Sequence, residues 1–158
     1  MNLKIREANS NDYTEVCKLN IDVHKLHLKN RPDVYLDIKN PLEKEYFDDL
    51  LKSNNIKLFI VENDDNKELV AYSIIQKMTT KSPIYIQKMF VYIDDFCVKS
   101  NVKRTGIGRL LFNHIIDYAK EEKATSLQLN VWEFNEDAIK FYETMGMCTR
   151  NRRMEFNL

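Results

Sequence analysis

Glycine is nearly absent from this chain. Three occur in 158 residues, at Gly106, Gly108 and Gly146, where average usage would give about 11. A backbone so sparing of glycine has few places for a left-handed turn, or for another group to lie against bare main chain. Two of the three stand one residue apart, in Val98-Lys99-Ser100-Asn101-Val102-Lys103-Arg104-Thr105-Gly106-Ile107-Gly108-Arg109. Between Lys99 and Arg109 there are four basic residues and no acid. The segment joins a β-rich run, Tyr85 to Val98, to a helix from Gly108 to Lys123. In that helix Ile107, Leu110, Leu111, His114, Ile115, Tyr118 and Ala119 recur at intervals of three and four. The first turn of a helix leaves N–H groups without intrahelical partners, and the dipole adds positive potential there. A basic, glycine-opened helix start therefore suits an anion such as a diphosphate. The competing reading is a tight turn whose glycines serve backbone geometry alone. The spacing is not that of a P-loop, and a dinucleotide fingerprint lacks its third glycine and its early parallel βαβ unit.

The rest of the chain supplies a framework for that loop. Leu3 to Glu7 alternates as a half-buried strand. Asn9-Ser10-Asn11-Asp12 offers helix caps, and Val16, Leu19, Asn20, Val23 and Leu26 form a helical stripe ending at Arg31-Pro32-Asp33. Pro41 is placed to open a second helix bearing Leu42, Tyr46, Phe47, Leu50 and Leu51. Ile56–Val61 and Leu69–Ile75 read as a hairpin around Asn63-Asp64-Asp65-Asn66. Leu127, Leu129 and Val131 alternate as a strand. Asn135 caps a helix carrying Ala138, Phe141, Tyr142 and Met145, and Gly146 stops it. Met154, Phe156 and Leu158 alternate as a final strand. No repeat or linker intervenes, so residues 1–158 read as one α/β (α+β) domain around a mixed sheet.

Charge and cysteine usage narrow the class. Lys plus Arg and Asp plus Glu number 24 each, which is not the basic surface of a general nucleic-acid binder. No apolar run reaches the ~18 residues of a membrane span, and the start lacks a signal-peptide core. Cys17, Cys97 and Cys148 are odd in number and show no Cys-x-x-Cys spacing, which predicts free thiols and a cytoplasmic protein.

Lys103-Arg104-Thr105-Gly106-Ile107-Gly108 resembles the Arg/Gln-x-x-Gly-x-Gly/Ala signature of the GNAT superfamily of acetyl-CoA-dependent N-acetyltransferases, with Lys103 where arginine or glutamine is usual. Upstream, Ile93-Asp94-Asp95-Phe96-Cys97-Val98 resembles the strand that enters that loop. Downstream, Asn135 to Gly146 resembles the family's Asn-x-x-Ala-x-x-Phe-Tyr-x-x-x-Gly segment. The resemblance implies a mostly antiparallel sheet flanked by helices, with two central parallel strands splayed to admit the coenzyme. It further implies direct transfer of an acetyl group to an amine of a small molecule or a protein, in a ternary complex and without a metal. The homodimer found in many members is a further expectation.

Carried over residue by residue, main-chain groups of Phe96, Cys97 and Val98 would hold the pantetheine arm and polarise the acetyl carbonyl. Lys103, Arg104, Thr105, Gly106, Ile107, Gly108 and Arg109 would hold the diphosphate. Asn135 would bond the pantetheine or only cap its helix. Tyr142 would protonate the departing thiolate, or it is a packing residue of its helix stripe. Asp94-Asp95-Phe96-Cys97-Val98 resembles the Glu-Asp-Phe-Phe-Val of polyamine acetyltransferases, which would make Asp94 an acid engaged in deprotonation and Asp95 a ligand for a cationic substrate. Alternation sends these two side chains to opposite faces unless a bulge intervenes. Aspartate is a weak base unless burial raises its pKa, so a water relay competes with direct abstraction. The acceptor site would lie between the first two helices, with His27 and Tyr35 near it. His24 and His27 stand three apart without a third metal ligand. The alternatives are a catalytically silent acyl-CoA sensor and an enzyme using another acyl-CoA.

Overall fold

The computed structural model describes residues 1–158, and its centre is a five-stranded sheet in the order β1-β2-β3-β4-β5. The strands are β1 (Leu3–Glu7), β2 (Ile56–Asn63), β3 (Glu68–Thr79), β4 (Met89–Val98) and β5 (Leu127–Leu129). The helices are α1 (Tyr13–Asn30), α2 (Lys44–Lys52), α3 (Ile107–Glu121) and α4 (Glu136–Thr144). Every neighbouring pair is antiparallel except β4 and β5, which run parallel. The mixed, mostly antiparallel sheet with one parallel seam is the expected architecture.

β3 is the central strand, and its sequence shows it. Leu69, Val70, Ala71, Tyr72, Ser73, Ile74 and Ile75 are all buried, as a strand covered on both faces requires. Odd positions Ala71 and Ile75 join a core with Val91, Ile93, Ile107, Leu111, Phe112 and Ile115, which packs under α3. Even positions Tyr72 and Ile74 join a second core with Val16, Leu19, Phe47 and Leu50, which packs under α1 and α2. At the first turn of the fold, Arg6 on β1 grips both carboxylate oxygens of Asp12 at 2.8 Å. The second oxygen of Asp12 also accepts from the Asn9 N–H at 2.7 Å, so the cap of α1 and the edge strand are fixed together.

β4 does not keep one phase. Ile74 lies opposite Asp95 and Ile75 opposite Ile93, so Asp94 is the extra residue of a β-bulge. Before it, Val91 and Ile93 face the α3 core. After it, Cys97 belongs to the α1–α2 core, and Phe96 and Val98 pack on the α3 side. The bulge turns Asp95 away from the face that simple alternation from Ile93 would give it.

The parallel seam is short. β4 meets β5 only at Val91–Leu127, Tyr92–Gln128 and Ile93–Leu129. From Asp94 to Val98, β4 is paired with β3 alone, so the two strands part where the bulge begins. The Lys99 N–H donates to the Val70 carbonyl at 2.8 Å. By the two-residue repeat of an antiparallel ladder, the main chain of Cys97 then faces β3 and that of Phe96 and Val98 faces the split.

Three segments differ from expectation. α2 begins at Lys44, and Pro41 lies in the connection ahead of it. β4 begins at Met89, leaving Ile84, Tyr85 and Ile86 exposed in the connection from β3. The alternation of Met154, Phe156 and Leu158 makes no strand, and all three are exposed. A period-two pattern becomes a strand only where a neighbouring edge accepts it, and the sheet ends at the three-residue β5.

Candidate active site

The two ends of the split carry different chemistry. At one end is the start of α3. Gly106 caps it at φ +91°, a left-handed conformation open to glycine, and no side chain satisfies the first-turn donors. A Cβ on Gly106 would meet nothing within 4 Å, so the space before the helix is open. Gly108 answers a different need: a Cβ there would stand 3.4 Å from the Phe141 ring and 3.6 Å from Val98. It allows α3 to close on α4 and β4. Arg104 also takes a positive φ of 64°, and the Thr105 hydroxyl donates to the Val102 carbonyl at 2.6 Å, bracing the turn. Lys103, Arg104, Thr105 and Arg109 are exposed, Ile107 is buried, and no acid lies in the first turn of α3. Lys99 is engaged with Glu68. An uncapped helix start, an open approach and three basic side chains fit a diphosphate group.

Tyr142 packs against Phe96 of β4 and against Phe112 and Phe141, with ring centroids 5.4–6.1 Å apart. Burial first, and the Asp95 charge second, raise its phenol well above the ordinary tyrosine value. The hydroxyl is therefore a held proton at neutral pH. Asn135 caps α4, its Oδ1 accepting the Ala138 N–H at a long 3.4 Å. The Cys97 thiol is buried, directed at the Leu19 carbonyl at 3.7 Å and pushed up to about 12 by burial. A thiol so protonated is no nucleophile.

At the other end are the two acids. Asp94 stands exposed on the bulge, its carboxyl raised by partial enclosure and by the neighbouring Asp95. Asp95 turns inward: its Oδ2 accepts from the Tyr72 hydroxyl, and from Asn20 Nδ2 at 3.0 Å. Burial raises the Asp95 pKa, and the bonds from Tyr72 and Asn20 and the proximity of His27 oppose that rise. The Ser73 hydroxyl donates to the Asp95 carbonyl at 2.7 Å, holding the bulge itself. In front of Asp95 is a cavity of about 260 Å³ lined by Asn20, Val23, His24, His27, Tyr35, Pro41 and Asp95. His27 and Tyr35 therefore meet Asp95, whereas Asp94 is not in the lining. His27 stacks on Tyr35 with centroids 5.1 Å apart, and burial lowers its pKa despite Asp95. The Trp132 Nε1–H donates to the Tyr35 hydroxyl at 2.8 Å, and Phe134 stacks on Trp132. No group of three or more His, Cys, Asp or Glu side chains is placed to hold a metal ion. A hollow of about 400 Å³ at the opposite end of β3 and β4, lined by Thr79, Gln87, Lys88 and Met89, gathers no comparable chemistry.

Sequence reasoning missed four contributors. Tyr72 reads as one more aromatic in a buried strand, and Asn20 as an interruption in an apolar stripe. Trp132 and Phe134 sit beyond a strand end and reveal their role only when folded against the α1–α2 connection. Asn20 carried the one available signal, a polar side chain on the core side of a helix.

Residues 20–147 match the family model described as the acetyltransferase (GNAT) family. Among solved structures, the chain is similar to a point mutant of the BH1408 protein from Bacillus halodurans. The two share 33% identity and a TM-score of 0.95, covering 98% of this chain and 99% of that one. An aminoglycoside acetyltransferase from an uncultured soil metagenomic sample, crystallised with trehalose, shares the fold. It has 20% identity and a TM-score of 0.72, over 99% and 95% of the two chains. The chain also aligns at 26% identity over 121 residues with the trigger factor of Buchnera aphidicola subsp. Schizaphis graminum, covering 68% of this chain and 27% of that protein. It thus spans about a quarter of the curated relative it matches.

Proposed function

The chain belongs to the GNAT acetyltransferase family, and from that premise we propose that it transfers the acetyl group of acetyl-CoA to the amine of a small cationic acceptor. The observation that carries this reading is the split between β4 and β5, with an uncapped helix start on one side and the half-buried Asp95 carboxylate on the other. When bound, acetyl-CoA supplies a thioester carbonyl as the electrophile. The residues to hold it are those around the split. First-turn amides of α3, with Lys103, Arg104 and Arg109, would hold its diphosphate. Main-chain groups of Phe96 and Val98, turned to the split, would pair with the pantetheine and donate toward the acyl oxygen. Cys97 contributes packing, since its main chain faces β3 and its thiol is buried. The Asn135 amide nitrogen, free of the cap bond, is a further donor for the pantetheine.

Asp95 attracts the ammonium into the cavity and takes a proton from it directly or through water, its raised pKa making it a better base than an ordinary aspartate. Asp94, on the open side of the bulge, draws the cation toward the mouth. Tyr142 Oη supplies the proton that the leaving sulfur takes up, and aromatic walls around it exclude water. We place the protein in the cytoplasm as a homodimer, as its free thiols and its family suggest.

A coupled thiol-release assay with acetyl-CoA over a panel of amines tests the reading. Turnover with at least one amine is expected. Binding of coenzyme A without turnover on any amine would favour a sensor, and faster release from propionyl- or succinyl-CoA would favour a different acyl donor. For Tyr142→Phe, kcat falls about 100-fold or more, in the range for loss of a general acid, while calorimetric affinity for coenzyme A stays within twofold. Unchanged kcat removes the acid role.

A further inference from the structure

Arg31 follows the last turn of α1, and its side chain is 19% exposed although both of its acidic partners stand in solvent. Its Nε and Nη2 grip the two carboxylate oxygens of Asp33 at 2.9 and 2.7 Å, and Nη2 also donates to Glu155 at 2.7 Å. Exposed ion pairs of this kind stabilise a fold little. The third contact is of another kind. The guanidinium lies over the Trp132 ring, its central carbon 4.7 Å from the ring centroid.

That contact closes a circuit. The Arg31 carbonyl accepts the Tyr35 N–H at 3.0 Å. The Tyr35 hydroxyl accepts from Trp132 Nε1 at 2.8 Å, and the Trp132 ring returns to the Arg31 side chain. One residue thus holds Tyr35 at its main chain directly and at its hydroxyl through Trp132. Tyr35 stacks on His27, and both line the cavity with Asp95, whereas Arg31 is outside that lining. Trp132 needs such a hold, since it follows the end of β5 and belongs to neither core. A planar guanidinium can lie on an indole face while its edge bonds carboxylates, a combination that lysine does not offer.

The geometry points to Arg31 as a positioning residue for the acceptor: it fixes Trp132 against Tyr35 and so sets the aromatic wall of the cavity. This rests on the reading of the chain as an amine acetyltransferase and adds a determinant of acceptor binding that no acceptor touches. Asp33 steadies the fork. Glu155 ties the C-terminal segment to it, and losing that tie leaves the Asp33 and Trp132 contacts in place.

Steady-state kinetics with acetyl-CoA and spermidine, hexylamine or 2-phenylethylamine, whichever turns over fastest, test the proposal. Arg31→Ala is expected to raise the KM for that amine about threefold to thirtyfold, the range for a cation–π contact. The KM for acetyl-CoA and kcat stay within about twofold. Arg31→Lys recovers part of the loss, and Glu155→Gln leaves the amine KM within about twofold. Arg31→Ala combined with Trp132→Phe is no worse than Trp132→Phe alone, because Arg31 acts through that ring. Trp132 is the sole tryptophan, so its emission reports on the ring directly, and acrylamide quenches it more efficiently in Arg31→Ala than in the parent. An unchanged amine KM, unchanged quenching, additive losses in the double variant, or an equal loss in Glu155→Gln overturns the proposal while the acetyltransferase reading stands. Silence with every amine overturns both. If the alanine variant does not fold, Arg31→Gln, which keeps the stem without the cation, gives the same comparison.

Discussion

The two faces of the sheet are built to different rules. Under α3 the buried core residues are all apolar, from Phe59 and Val61 through Val91 and Ile93 to Leu111, Phe112 and Ile115, with the Tyr118 and Tyr142 rings packed at their edge. Under α1 and α2 the core is apolar at Val16, Leu19, Phe47 and Ile60, but it includes the Tyr72 hydroxyl and the Cys97 thiol and borders Asp95 and Asn20. One residue separates these regimes on β4. Asp94, the bulged position, hands the strand from one phase to the other, so that an acid can lie beside a packed core without entering the drier one. Polar chemistry on that side converges on Asp95, to which Tyr72, Asn20 and Ser73 each donate.

The most damaging way to break this contrast is to carry an acid across it, as Ile93→Asp does, since Ile93 is buried in the apolar core under α3. Burying a carboxylate there without partners costs about 3–5 kcal/mol, or roughly 6–20 °C at ~2–4 °C per kcal/mol for a domain of this size. Thermal unfolding of the variant measures it, and an unchanged midpoint would show that this face accepts an acid as readily as the other. Next comes Ile115→Ala, which opens a hole in the apolar face at a fully buried residue. It should cost about 2–5 kcal/mol by denaturant titration, while kcat per folded molecule at 20 °C is retained, because Ile115 touches none of the polar network.

The smallest effect has the opposite sign. The Asp95 carboxyl has a folded pKa above its unfolded value of ~3.9. Its contribution to stability is therefore fully present below that unfolded value and is lost as pH rises through the raised folded pKa. Asp95→Asn removes that loss and keeps an oxygen for Tyr72 and Asn20. At pH 7.5 the variant should unfold at a higher temperature, by on the order of 1 kcal/mol. The gain should shrink toward pH 4, and amine turnover should collapse throughout. Calorimetric melts at the two pH values decide it; a variant less stable than its parent at pH 7.5 would mean that the carboxylate stabilises its network.

Much of this could be read from the chain. Gly106 and Gly108 marked the α3 start, the spacing from Leu110 to Ala119 gave the helix, and Asn135 and Gly146 bracketed α4. Local signals sufficed because caps, turns and helix stripes are decided within a few residues. The acid pair was legible as a pair, but the face each member takes depends on a register shift against Ile74 and Ile75, more than fifteen residues away. Tyr72 and Asn20 carry meaning only through Asp95, a contact across the sheet. Gly108 was legible as a constraint but not as the seat of Phe141. Met154, Phe156 and Leu158 show the converse error, a pattern with no edge to receive it.

The aromatic wall has a consequence for redesign. Tyr35 comes from the connection between α1 and α2, and Trp132 and Phe134 from the loop after β5; none of the three sits in either core. Exchanging them reshapes the chamber without disturbing what keeps the molecule folded. The chamber in front of Asp95 can thus be remodelled by a handful of replacements, none of which opens a hole in the packing that holds the sheet together.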